Sequence, residues 1–155
     1  MLSDQPKKSL PHREPFLLVD RLVERSSDGR SGIVEYDVTE NLDVLKGHFP
    51  GNPILPGVIQ IEVAAQSALW VYAGVLPDGA SPPEVLFRGT DFLFKKVVKP
   101  GCTLRVKVHE ESQRKKYFYI WKAEITVGSE VVSRGELSMV LLKAPVHADG
   151  TLVYK

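Results

Sequence analysis

Two ionisable side chains, His48 and Glu62, have sequence surroundings that suit acid–base chemistry. His48 lies in the proline- and glycine-rich segment Gly47-His48-Phe49-Pro50-Gly51, and Glu62 lies fourteen residues later inside an apolar run. Glutamate is almost never fully buried unless it is paired, and apolar surroundings raise the pKa of a carboxyl group so that it keeps its proton. A neutral imidazole can accept a proton, so the pair predicts a general base and a general acid. The competing interpretations are a hydrogen-bonded loop histidine and a paired structural glutamate.

A third group comes from the start of the helix predicted after Pro56. The first backbone N–H groups of a helix have no partner within it and lie at the positive end of its dipole. Gly57 has no Cβ, so its N–H can be approached closely and could polarise a carbonyl oxygen. Gln66 follows Glu62 by one helical turn on the same face.

Several familiar site motifs are absent from the sequence. It has no glycine-rich phosphate loop, no nucleophile-elbow serine and no histidine pair at helical spacing. The histidines also lack metal-ligand spacing; they are His12, His48, His109 and His147. We therefore expect neither a cofactor nor a metal.

Length and composition predict one domain over residues 1–155, with a loose tail at 1–9 and a C-terminal extension at 144–155. Hydrophobic residues make up 43% and charged residues 25%, which excludes a disordered chain. The net charge of +1 gives no general attraction to nucleic acid or membranes. The single cysteine, Cys102, and a polar N-terminus without a signal-peptide core favour the cytoplasm.

Periodicity predicts the elements that position these groups. Residues 57–76 are apolar on nearly every side but contain a carboxylate, which indicates an enclosed helix rather than a membrane span. Three prolines between 50 and 56 predict an extended loop over 41–56. Strands are expected at 16–24, 32–38, 85–94, 103–109, 117–127 and 131–142. The order of two strands, one helix and four strands predicts an α+β fold whose sheet wraps the helix.

The run GHFPGNPILPGVIQIEVAAQ resembles the signature of the β-hydroxyacyl-ACP dehydratases of fatty acid synthesis, FabZ type. That family's pattern is His-Phe-x-Gly-x-Pro-x-x-Pro-Gly, with a carboxylate fourteen residues after the histidine and then a glutamine. Every position of the pattern is matched here, by His48, Phe49, Gly51, Pro53, Pro56, Gly57, Glu62 and Gln66. Residues 10–21, 94–96 and 100–101 are also similar, so the resemblance covers about residues 10–143.

The resemblance implies a hotdog fold, a curved antiparallel sheet around one long helix, and a cofactor-free elimination of water. His48 would remove the α-proton of a (3R)-hydroxyacyl thioester, and Glu62 would help to expel the 3-hydroxyl group. The Gly57 N–H would hold the thioester oxygen. The remaining motif residues would orient Glu62 or shape the substrate loop; they are Gln66, Phe49, Gly51 and Pro56.

The resemblance also implies partners. Two protomers would share each site, His48 from one and Glu62 from the other, and three dimers could form a hexamer. The substrate would arrive on an acyl carrier protein, for which Lys95 and Lys96 are candidate contacts. They begin a basic cluster that continues with Lys99, Arg105, Lys107, Arg114, Lys115 and Lys116. The competing interpretation is a solvated strand face protected by edge lysines.

Three other functions stay open. Departures from the family pattern at Glu14, Leu93, Val97 and Cys102 leave room for a specialised dehydratase of a polyketide or polyene pathway. A thioesterase of the same fold would use Glu62 to activate water. A non-catalytic acyl-binding protein would need neither His48 nor Glu62.

Overall fold

A computed structural model describes residues 5–114 and 117–153, which form three helices and one six-stranded sheet. The helices are α1 (Pro6–Ser9), α2 (Asp43–Gly47) and α3 (Gly57–Ala73). The strands are β1 (Arg21–Arg25), β2 (Ser31–Val38), β3 (Glu84–Phe94), β4 (Cys102–Arg114), β5 (Phe118–Val127) and β6 (Glu130–Lys143). All neighbouring strands are antiparallel, in the order β1-β2-β4-β5-β6-β3.

The side chains along the strands alternate between a buried face of the sheet, which packs against α3, and a face exposed to solvent. In β4, Leu104, Val106 and Val108 are fully buried, whereas Arg105 and Lys107 between them are exposed. Successive side chains of a strand point to opposite faces, so this alternation gives β4 one core face and one solvent face. The predicted period-two pattern is confirmed.

The predicted enclosure of α3 is also confirmed. Its buried side chains include Val63, Ala64, Ala68, Trp70 and Val71, none of them accessible to solvent. The helix packs against β2, β4 and β5, which places it in the curve of the sheet. Within the described part of the chain, no helix is long and apolar enough to cross a membrane.

The helix ends at Ala73, three residues before the predicted end. Gly74 follows as the C-cap, and the guanidinium of Arg25 lies directly over it. A Cβ on Gly74 would occupy the place of the Arg25 guanidinium, so a larger residue there would require this side chain of β1 to move.

Two predictions are wrong, one about the N-terminal tail and one about the loop before α3. Residues 6–9 form α1 instead of belonging to a loose tail, because Ser9 and Leu10 are completely buried against the rest of the protein. The predicted loop 41–56 contains the short helix α2, which ends before the first proline and is therefore not disturbed by it. The extension 144–155 folds back through a bridge between Val146 and Leu152, as far as residue 153.

Two predicted strands have different bounds. The first begins only at Arg21, because the backbone groups of Phe16 and Leu18 bond to a helix side chain instead of a neighbouring strand. The strand predicted at 103–109 runs on to Arg114, where its outer half pairs with β5.

Candidate active site

His48 caps the end of α2, and its ring has a defined orientation. Its Nδ1 lies 2.9 Å from the carbonyl oxygen of Ile54. A carbonyl oxygen can only accept a hydrogen bond, so Nδ1 carries the proton of the neutral ring. The lone pair on Nε2 is therefore free to accept a proton. The Phe49 ring stacks on the imidazole at a centroid distance of 4.1 Å.

A compact loop holds His48 at this position. Phe49 and Asn52 exchange backbone hydrogen bonds of 3.1 and 2.9 Å, and the N–H of Ile54 donates to the His48 carbonyl at 2.8 Å. Gly51 has a φ of +75°, a conformation that glycine adopts without steric cost. The sequence predicted an extended loop, and these bonds give its second half a defined turn.

Glu62 lies on α3 with 24% of its side chain exposed. Burial raises its pKa, and the hydrogen bond from Gln66 only partly offsets that effect. The shift is in the direction that a proton-donating carboxyl group requires.

Gln66 is 1% exposed and uses its whole amide group. Its Nε2 donates to Glu62 Oε1 at 2.9 Å and to the Phe16 carbonyl at 2.8 Å, and its Oε1 accepts from the Leu18 N–H at 2.8 Å. These bonds fix Glu62 and Gln66 against the N-terminal segment. The contact between Glu62 and Gln66 is the one expected from their spacing of four residues on α3.

Gly57 begins α3 after the buried Pro56. A Cβ at this position would lie 2.8 Å from Cζ of Phe94, so the Phe94 ring covers the glycine. The Leu55 N–H donates to the Val98 carbonyl at 2.8 Å, which joins the helix start to the segment after β3. The contact with Phe94 was not predicted, because nothing in the sequence pairs these two distant residues.

A cavity of about 180 Å³ opens beside Glu62. Its apolar wall includes Leu69, Val85 and Met139. The same three residues also line a second, separate apolar space beside Tyr72, whose volume of about 10 Å³ is no more than one water molecule needs. A carboxyl group thus borders a cavity whose walls are partly apolar.

His12 also borders this cavity, opposite Glu62. Its Nε2 lies 3.9 Å from Glu62 Oε1, and 25% of its side chain is exposed. Burial, with a smaller effect of the Arg13 charge, lowers the pKa of His12. The sequence shows His12 only as one of four histidines without metal-ligand spacing and as part of the segment 10–21 that resembles the family. Its position could not be foreseen, because it depends on how the N-terminal segment folds over α3.

The structure brings some of the predicted residues together and separates others. Glu62 meets Gln66 on α3, and His48 is joined to Gly57 through the loop. His48 does not line the cavity beside Glu62. Among residues 5–114 and 117–153, no hydrogen bond or ring contact links His48 to Glu62.

The basic cluster predicted over residues 95–116 divides into separate groups. Lys95, Lys96 and Lys99 lie after β3, next to the segment that bonds to Leu55. Arg105 and Lys107 lie on the outer face of β4, and Arg105 pairs with Glu35 at 2.9 Å. Arg114 ends β4, about 40 Å from its first residue at about 3.3 Å per residue. Lys115 and Lys116 lie outside the described residues.

Within the described ranges, no group of three or more histidine, cysteine or acidic side chains could hold a metal ion.

Comparisons with known sequences match most of the chain. The model of the ApeI-like family, described as ApeI dehydratase, matches residues 24–135. The 3-hydroxyacyl-[acyl-carrier-protein] dehydratase FabZ of Chlamydia trachomatis serovar L2 is 40% identical over 135 residues, 86% of this chain and 88% of the relative. The FabZ of Chloroflexus aggregans is 45% identical over 139 residues, 88% of this chain and 94% of the relative.

Solved structures match the fold. The dehydratase heterocomplex ApeI:P from Xenorhabdus doucetiae aligns with a TM-score of 0.70 at 20% identity, covering 90% of this chain and 91% of that one. A hypothetical thioesterase from Streptococcus pneumoniae TIGR4, solved with coenzyme A, gives 0.59 at 12% identity, covering 78% and 84%. These likenesses concern the fold alone, and they confirm the α+β hotdog arrangement.

Proposed function

This chain belongs to the FabZ-type family of 3-hydroxyacyl-[acyl-carrier-protein] dehydratases, and we propose that His48, Gly57 and Glu62 carry its reaction. The protein is a dehydratase of fatty acid biosynthesis. It removes water from a (3R)-hydroxyacyl thioester and forms the trans-2-enoyl thioester. No cofactor takes part in the steps proposed below.

The proposed elimination balances with two proton transfers. Nε2 of His48 takes the α-proton, and the electron pair of that C–H bond forms the new carbon–carbon double bond. The bond between C3 and the hydroxyl oxygen breaks, and the oxygen takes the proton of Glu62 to leave as water. The Gly57 N–H stabilises the thioester oxygen while negative charge builds on it. Return of the proton from His48 to Glu62 restores the enzyme.

The observation that carries this assignment is that the surroundings of the two groups suit complementary roles in proton transfer. The Ile54 carbonyl keeps the proton of His48 on Nδ1, which leaves Nε2 as a base. Burial raises the pKa of Glu62 and so favours the acid form. A thioesterase that used Glu62 to activate water would need the ionised form, which this environment disfavours.

The apolar wall of the cavity beside Glu62 supports an acyl chain as the substrate's second feature. Leu69, Val85 and Met139 form this wall. A hydrocarbon chain placed against it would remove apolar surface from water on both sides.

The edge strand β3 supports a dimer with shared sites. Its outer edge has no neighbouring strand in the sheet. It exposes four large apolar side chains, Leu86, Phe87, Leu93 and Phe94. A long edge strand of this kind is a template for pairing with another chain. A two-fold pairing here would let His48 of one protomer complete the cavity at Glu62 of its partner, and three such dimers would give a hexamer.

The acyl carrier protein would dock beside the helix start. Lys95 and Lys99 are exposed and form no ion pair in the described part of the chain, while Lys96 pairs with Glu130 at 2.5 Å. Positive charge next to the Gly57 segment would steer an acidic carrier toward the site. This chemistry fits the cytoplasmic location expected from the sequence.

Product analysis tests the proposal directly. The purified protein is incubated with (3R)-hydroxyacyl thioesters on acyl carrier protein, and products are identified by mass spectrometry. We expect loss of one water from the intact acyl carrier protein thioester, unaffected by a chelator. Release of the free hydroxy acid would identify a thioesterase, and an unchanged substrate would contradict catalysis.

A further inference from the structure

A third ionisable side chain, His12, faces the cavity in which the proposed elimination takes place. His12 and Glu62 border the cavity together, with 3.9 Å between His12 Nε2 and Glu62 Oε1. This distance is too long for a direct hydrogen bond and too short for two intervening atoms. It is a separation that one shared oxygen atom can bridge.

Simple geometry describes that shared oxygen. An atom about 2.8 Å from both Nε2 and Oε1 would see them at an angle of about 90° when they lie 3.9 Å apart. This angle is about 20° narrower than the tetrahedral angle, which is within the spread that hydrogen bonds to a hydroxyl oxygen tolerate. The cavity of about 180 Å³ has room for such an oxygen and the carbon attached to it.

The surroundings of Nδ1, the other ring nitrogen of His12, determine which of the two nitrogens carries the proton. Nδ1 of His12 is buried and has no hydrogen-bond partner in the described part of the structure. A buried N–H without an acceptor is rare because it costs the free energy of a lost hydrogen bond. The proton of the neutral ring is therefore placed on Nε2, which points it toward the gap beside Glu62.

We propose that His12 is a further catalytic residue, whose Nε2–H and the Glu62 carboxyl together hold the 3-hydroxyl oxygen that leaves as water. This inference rests on the proposed function. As the C3–oxygen bond breaks, its electron pair goes to the oxygen, which takes the Glu62 proton. The His12 N–H donates a second hydrogen bond to the same oxygen and keeps its own proton. The oxygen therefore meets two donors while charge develops on it.

Two variants of similar length separate this role from packing. His12→Gln carries an amide nitrogen near the position of Nε2, whereas His12→Met fills similar space without a donor. We expect kcat of His12→Met to fall about 10²-fold, the usual effect of removing one preorganised donor. His12→Gln should retain most of the activity. Binding of a saturated acyl thioester, which lacks the 3-hydroxyl, should be the same in both variants.

A second measurement does not depend on the folding of either His12 variant. In Glu62→Gln, which stops turnover, the ¹⁵N resonance of His12 Nε2 should shift on adding the 3-hydroxyacyl thioester. It should not shift in the same way with the saturated thioester. Equal responses to both ligands would overturn the inference, as would full activity of His12→Met.

Failure of the proposed function gives a different result. A wild-type protein that does not dehydrate the substrate contradicts the function itself. An active wild-type protein whose turnover does not depend on the His12 donor contradicts only the role of His12.

Discussion

At the scale of single residues, the site depends on keeping a carboxyl group in surroundings that suit its acid form. Glu62 accepts a hydrogen bond from Gln66 and borders a cavity lined by His12 and by apolar side chains. These surroundings raise its pKa, so the ionised form is less stable in the folded protein than in the unfolded chain. The arrangement favours function at the expense of stability, a common trade-off at active sites.

Replacing Glu62 with glutamine should therefore separate activity from stability. The amide cannot supply a proton, so kcat should fall by about 10²–10⁴-fold. Between the ordinary pKa of glutamate and the raised value, folded Glu62 holds a proton that the unfolded chain has released, so wild-type stability falls as pH rises. Glu62→Gln does not titrate, and its melting temperature relative to wild type should increase with pH across this interval.

Thermal unfolding measured over a pH series checks this sign. Gln66→Glu is an unsuitable control because it would lose the two hydrogen bonds that the amide donates. Lys107→Gln, a distant substitution on the outer face of β4, serves to correct for general charge effects. A melting-temperature difference that stays constant with pH would contradict the raised pKa of Glu62.

At the scale of elements, the start of α3 combines a helix terminus with the ring of Phe94. Gly57→Ala adds a methyl group 2.8 Å from Phe94 Cζ. Alanine is a better helix former than glycine by up to about 1 kcal/mol, so the fold should persist if the ring can move. We expect a large loss of kcat, because the methyl group hinders approach to the Gly57 N–H.

A double variant identifies the cause of that loss. Phe94→Leu shortens the side chain that would clash with the new methyl group. If Gly57→Ala is inactive because the N–H is shielded, adding Phe94→Leu should restore stability but not kcat. Recovery of kcat in the double variant would instead mean that displacement of the ring was responsible.

The same elements show what sequence patterns can and cannot reveal. The period-two alternation of Leu104, Val106 and Val108 and the apolar surface of α3 follow from local burial, and both predictions are confirmed. Contacts between distant segments leave no such periodic pattern. The placement of His12 beside Glu62 and of Phe94 over Gly57 arises from tertiary packing, which a single sequence does not encode in its spacing.

Site residues show the same division. The contact between Glu62 and Gln66 was predictable because residues four apart share one face of a helix. The loose tail predicted over residues 1–9 was wrong for residues 6–9, because polar composition does not reveal that Ser9 and Leu10 are completely buried.

At the scale of the whole molecule, the separation of the basic side chains makes carrier docking testable with an internal control. Lys95→Glu with Lys99→Glu should raise KM for a substrate on acyl carrier protein but not for a short pantetheine thioester. Lys107→Glu makes half of this charge change on the outer face of β4 and should have little effect on either substrate. The preference for the carrier should also weaken with salt, because charges are screened beyond about 8 Å at physiological ionic strength. Equal KM changes for both substrates would mean that these lysines are ordinary solvated residues without a role in docking.

The assembly decides whether His48 and Glu62 ever meet, and a complementation experiment tests it. His48→Asn keeps a side-chain donor for the Ile54 carbonyl but has no base, and Glu62→Gln has no acid, so each homodimer should be inactive. When the two variants are unfolded together and refolded, half of the dimers should be mixed. If sites are shared across a two-fold axis, each mixed dimer has one site with both wild-type residues and one with neither. Activity should then recover to about a quarter of the wild-type value, measured beside each variant refolded alone. If native mass spectrometry shows mixed dimers but activity does not return, each chain must build its own site, and the role proposed for the β3 edge would be wrong.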